Sequence, residues 1–172
     1  GLTLDRLVAP GGVETLAGGI LVEGRALVRG GLSVSDGSLA VASGGLAVSG
    51  GFSTAEGLNV EDTGVRVIAD GIRVLAGGLS SLRVDVYSGG VAAIGSVNVS
   101  GRVAVRGGLT ASGSRVRVST GGVTVQASGL SVAGGMNIMS GGVDVATGGL
   151  NVVAEGLRSA GGARVHSGGA MV

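Results

Sequence analysis

Cysteine, tryptophan and lysine are absent from this 172-residue chain, and proline, phenylalanine and tyrosine occur once each, as Pro10, Phe52 and Tyr87. Without cysteine there are no disulfides and no thiolate metal sites, and the redox compartment stays open. Without aromatics a conventional thick core is hard to build, because those side chains bury the most area per residue. Long apolar runs are missing too. None approaches the roughly 18 residues of a membrane span, so no membrane insertion is expected. The net charge of +1 gives no electrostatic reason to expect nucleic acid as a partner.

What is present is glycine, 39 residues of it, together with valine, leucine and alanine. Disorder requires low hydrophobicity and high net charge, whereas mean hydropathy here is +0.59. Collagen is excluded because glycine follows no three-residue period. The composition suits many thin, near-identical layers.

The layers are visible as repeats. GGLSVSD (30–36), GSLAVAS (37–43), GGLAVSG (44–50), GGVTVQA (121–127) and GGVDVAT (141–147) share one template. A small residue precedes an apolar residue, then a variable residue, then usually valine. Apolar–x–valine is the period-two signature of a short strand with one buried face. The preceding glycine supplies a corner, since it reaches positive φ without a Cβ clash. No helical period extends over a helix length, so the chain is expected to be all-β.

Marking the first inward residue of each unit gives 27 positions from Leu2 to Ala170, five to seven residues apart. Strands this short cannot reverse as hairpins, and coiling into a parallel solenoid is the natural alternative. Every third position yields a column, Val13, Leu32, Phe52, Ile72, Val91, Leu109, Leu130, Leu150 and Ala170. Each is preceded by a glycine: Gly12, Gly31, Gly51, Gly71, Gly90, Gly108, Gly129, Gly149 and Gly169. A second column, Leu7 through Ala163, is spaced by 19 or 20 residues throughout. The expected fold is a single-stranded parallel β-solenoid over residues 1–172, with three short strands per turn and about nine turns, right-handed by preference. At roughly 4.8 Å per stacked strand the rod is on the order of 43 Å long.

Candidate chemistry is sparse. His166 is the only histidine and reads as a solvated corner residue rather than the interfacial base of a hexapeptide acyltransferase. The calcium nonapeptide G-G-x-G-x-D does not occur. Glu61 and Asp62 are adjacent, so they diverge on a strand or occupy a corner. Glu14, Glu23, Asp36, Glu56, Asp70, Asp85, Asp144 and Glu155 are scattered singly, which suggests a solvated surface rather than the carboxylate pair of a glycosidase. The outward residues of the remaining column, Thr3, Leu21, Ala40, Asn59, Ser80, Asn98, Arg117, Asn137 and Arg158, give no threonine ladder for ice. Arg6 with Arg25, and Arg83 with Arg102, are expected to stack in consecutive turns, each pair with an acidic or carbonyl neighbour such as Glu23 or Asp85. No enzyme activity, cofactor or metal is expected.

The outward residues of the early turns are apolar: Val8, Leu21, Leu27, Ala40 and Ala47. Exposed apolar patches mark interfaces, here with a second copy or another structural protein. The pattern opens immediately after Gly1 and still runs at Val172 with no cap. Open solenoid ends expose strand edges, so a longer parent chain, or rods stacked end to end, is expected.

The G-G-[LV]-x-V units on a turn of 19–20 residues resemble the glycine-rich passenger repeats of bacterial autotransporter adhesins of the AIDA type. They are equally similar to long secreted solenoid proteins of algae and other microbes. The resemblance implies an extracellular or cell-surface location. It fits a structural component of a filament, appendage or coat, with a cell-surface adhesin or glycan-binding module as the alternative.

Overall fold

The computed structural model describes residues 2–113 and 115–172. It is an all-β parallel solenoid of nine turns, with three strands per turn and no helix among the described residues. The 27 strands begin at the 27 positions that the period-two pattern marks. They assemble into three nine-stranded sheets. Sheet 1 runs from Leu2–Leu4 to Leu157–Ser159, sheet 2 from Leu7–Ala9 to Ala163–Val165, and sheet 3 from Val13–Thr15 to Ala170–Met171.

Within each sheet every strand stacks in parallel on the strand one turn earlier, residue on residue. In sheet 3 Val13 faces Leu32, Leu32 faces Phe52 and Phe52 faces Ile72. The three-residue length explains the burial. First and third residues point into the rod and the middle one points out, because side chains alternate along a strand. From Ile20–Val22 to Leu150–Val152 the inward pairs are buried throughout. The valine columns Val22, Val41, Val60 and Val28, Val48, Val67 lie inside as expected. Each buried valine or leucine contributes about 1.5–3 kcal/mol before entropy, so the rod is stable as a stack and not as a single turn. In the outermost turns Leu7, Val13 and Leu157 are half-buried and Ala163 and Ala170 exposed, since those strands have a neighbour on one side only. The Leu2 side chain, expected to point inward, lies outside what is described.

Two polar residues occupy buried inward sites. Thr54 donates its hydroxyl to the Gly37 carbonyl at 3.1 Å, and Ser81 donates to the Arg83 carbonyl at 2.9 Å. Each finds a corner carbonyl within reach, which offsets the cost of burying a hydroxyl.

The corners are built differently from expectation. Of the nine glycines preceding sheet 3, only Gly71, Gly129, Gly149 and Gly169 have positive φ. The spacing of the chain decides which. Four corners sit in steps of six residues between inward positions, at Gly12, Gly31, Gly51 and Gly108, and there neither corner residue is left-handed. The five seven-residue steps each place at least one left-handed residue in the corner, as at Asp70–Gly71 and Ser128–Gly129. The additional residue must be folded back within the same gap, and the left-handed region does this.

At Gly90 the reason for glycine is proximity instead. The backbone ladder continues one residue beyond the strand, with Ile72 N–H donating to the Gly90 carbonyl at 2.8 Å and Val91 N–H to the Gly108 carbonyl at 2.9 Å. Stacked corner peptides leave no room for a side chain. A Cβ on Gly90 would lie 2.6 Å from the Gly108 oxygen.

Candidate binding surfaces

The corner glycines do more than turn the chain. Gly12, Gly31 and Gly51 line, together with Glu14, Ser33, Ser53, Asp70 and Arg73, an open trough of about 830 Å³ along the first four turns of sheet 3. No side chain projects from those three glycines, so backbone forms part of its wall. The glycines of the later turns do not join this trough.

The five apolar interface candidates divide between two faces. Val8, Leu27 and Ala47 form one in-register strip on sheet 2. Leu21 and Ala40 form another on sheet 1. Val8 is 49% and Leu21 39% exposed, while Leu27, Ala40 and Ala47 are half-buried.

Sequence reading missed a further set of exposed apolar residues. The residue just after each sheet 3 strand stacks into a corner column, joined by backbone bonds such as Ile94 N–H to the Val74 carbonyl and Val153 N–H to the Val132 carbonyl. The column carries exposed Leu16, Leu75, Ile94 and Val153, with Ser35 and Ala55 between the first two and Ser112 and Ala133 between the last two. The position lies one residue outside the three-residue template. Extending the template by one residue would have revealed it.

Polar residues gather on sheet 1 from the fourth turn onward. Asn59, Ser80, Asn98, Arg117, Asn137 and Arg158 stack in register on its outer face. Shallow depressions of about 260 and 300 Å³ flank the two ends of this column, one beside Asn59, Ser80 and Asn98, the other beside Asn137 and Arg158.

The densest chemistry lies on sheet 2. Asp85 is the middle residue of Val84–Val86 and points outward, yet it is only 4% exposed. This corrects the expectation of a solvated carboxylate. Arg83 Nε donates to Asp85 Oδ2 at 2.8 Å, and Arg102 Nη2 donates to Oδ1 at 3.3 Å. The two guanidinium groups cover the carboxylate and take its charge, so the stacked arginines of this pair share one acid as expected. Arg6 and Arg25 differ: among the described residues neither forms an ion pair with Glu23. Beside Asp85, Tyr87 lies under two further arginines, with Arg66 Cζ 5.0 Å and Arg106 Cζ 5.4 Å from the ring centroid. The turns before and after Tyr87 supply them.

His166 sits at a corner, where its Nε2 is 3.0 Å from Asp144 Oδ1 with both side chains about half exposed. Glu61 and Asp62 also occupy a corner, and the Asp62 carboxylate caps the Thr63 N–H at 2.8 Å. Among the described residues no group of three or more His, Cys, Asp or Glu side chains converges. Compared with known proteins, the chain matches no family model, no curated protein and no solved structure.

Proposed function

We propose that this chain is a structural, non-catalytic solenoid that forms or decorates an extracellular filament, appendage or coat. The observation that supports this most is the exposed apolar pair Leu75 and Ile94, stacked in consecutive turns of the sheet 3 corner column, with Leu16 and Val153 further along the same line. Apolar residues ranged along the rod axis, instead of closing around a pocket, suit lateral contact with a second rod or another structural protein. Charge is arranged along the same axis. Residues 1–70 carry eight acids and four arginines, net −4, and residues 71–172 carry three acids and eight arginines, net +5. In a solenoid sequence position is axial position, so one end of the rod attracts the other end of a neighbour. The test is the assembly state of the chain, read by negative-stain imaging and light scattering. Filaments or sheets of constant width are expected, and Leu75→Asp with Ile94→Asp, at two exposed positions, should abolish them while leaving the rod folded. A monodisperse 16 kDa particle, or assembly that the double variant leaves unchanged, contradicts the reading.

A second reading, a cell-surface adhesin or glycan-binding module, draws on the sheet 1 column of Asn59, Asn98, Asn137, Arg117 and Arg158. Amides and guanidinium groups at one-turn intervals present hydrogen-bonding partners to the hydroxyls of a linear saccharide. Both readings agree with the secreted solenoids that the repeat resembles.

A further inference from the structure

The geometry points to a second ligand site, on sheet 2, that accepts an isolated oxyanion (a carboxylate or sulfate) borne by a saccharide. This deepens the glycan-binding reading and places the ligand on a different face from the amide column. Four arginines cluster about Asp85 and Tyr87, and they are not equivalent. Arg83 and Arg102 are engaged by the buried Asp85. Arg66 and Arg106 are exposed, have no carboxylate partner among the described residues, and are held over the Tyr87 ring. A guanidinium group resting on an aromatic ring keeps its planar fork of donors free and already oriented, the arrangement that best accepts a carboxylate or sulfate.

A depression of about 150 Å³ opens beside Arg106, lined by Asp85, Tyr87, Arg102, Ala104, Arg106, Thr124 and Gln126. Arg66 stands outside the lining, on the turn before Tyr87, and Asp85 is already held by its two arginines. Ala104 makes the space. It sits in register between Asp85 and Thr124, and its methyl group stops short of both neighbours' reach. The Thr124 hydroxyl and the Gln126 amide supply neutral donors and acceptors within one or two turns of the guanidinium groups. That mixture suits a ring with hydroxyls and one acidic substituent.

Two observations argue against a dense polyanion such as nucleic acid. The acidic first half of the rod repels an extended chain of closely spaced charges running along the axis. No aromatic face is free for a base to stack on, because Phe52 is buried and Tyr87 is already covered by arginines.

Titration calorimetry of the whole chain tests the site. The probes are an oligogalacturonate, a sulfated dextran oligosaccharide, a neutral dextran of equal length and a single-stranded DNA oligonucleotide. One or both acidic saccharides should bind, with the neutral one and the DNA weaker by about tenfold or more. Arg66→Gln with Arg106→Gln should reduce the acidic saccharide's affinity by a similar factor, without a change in melting temperature. Arg29→Gln with Arg73→Gln removes the same charge from exposed positions elsewhere on the rod and should leave affinity intact. Equal losses in the two double variants would reduce the effect to general attraction and overturn the site. Loss only when Arg117 and Arg158 of sheet 1 are both changed to Gln would overturn it too, while leaving the amide-column reading standing. Preference for DNA, or no binding of either acidic saccharide at millimolar concentration, also overturns it.

Discussion

The first four turns and the last five share one core and differ in their surface. Inside, leucine, valine and isoleucine pairs repeat with little change from Ile20 to Val152. Outside, the early turns expose Val8 and Leu21 and carry net negative charge, while the later turns expose an Asn–Arg column and carry net positive charge. The corners entering sheet 3 follow step length and not this division: Gly108 in the sixth turn is as ordinary in φ as Gly12, Gly31 and Gly51, and Gly71 in the fourth is already left-handed, like Gly129, Gly149 and Gly169. The lesson is that a solenoid separates two tasks that a globular fold mixes. Inward positions fix the stack, and outward positions are free to vary in blocks that become bands along the rod.

The corner difference gives the largest expected effect. Gly71→Ala places a Cβ at φ +77 against the Gly90 backbone, and should lower stability by about 3 kcal/mol. Gly31→Ala meets nothing closer than the Gly51 oxygen at 3.5 Å, at ordinary φ. It should fall within about 0.5 kcal/mol of wild type. Chemical denaturation of the two variants side by side measures the contrast, and equal losses would dissolve it.

The carboxylates give a smaller effect. Asp85→Ala removes the shared partner of Arg83 and Arg102 from a covered position and should cost about 1–2 kcal/mol. Asp144→Ala breaks only the half-exposed contact to His166, and should cost less than about 0.5 kcal/mol. Thermal melts of both variants rank them, and an equal ranking would mean that the cover over Asp85 contributes nothing.

Much of the fold was legible because its period is strict. An inward residue, an outward residue, a second inward residue and a small corner recur closely enough to place all 27 strands and all three columns. The corner conformation was also encoded, in the choice between six- and seven-residue steps. Glycine identity alone does not reveal it, because glycine stands in both kinds of corner. The burial of Asp85 was illegible for a different reason. A middle residue reads as solvent-facing by alternation, and only the coordinates show that side chains from its own turn and the next fold across it. The Tyr87 cluster escaped for the same cause: Arg66, Tyr87 and Arg106 lie in three successive turns and meet only after stacking. The apolar residues of the corner column fell just beyond the template's third residue.

The core, the corners and the candidate surfaces all depend on parallel, in-register stacking of successive turns. The natural absence of cysteine allows paired spin labels at Ser80 and, in turn, at Asn98, Arg117, Asn137 and Arg158, all outward positions of sheet 1. Pulsed and continuous-wave spectra should give separations that grow by about 4.8 Å with each turn, reaching about 19 Å at Arg158. A Ser80–Arg158 pair as close as Ser80–Asn98, or separations that fail to rise along the series, would contradict the solenoid.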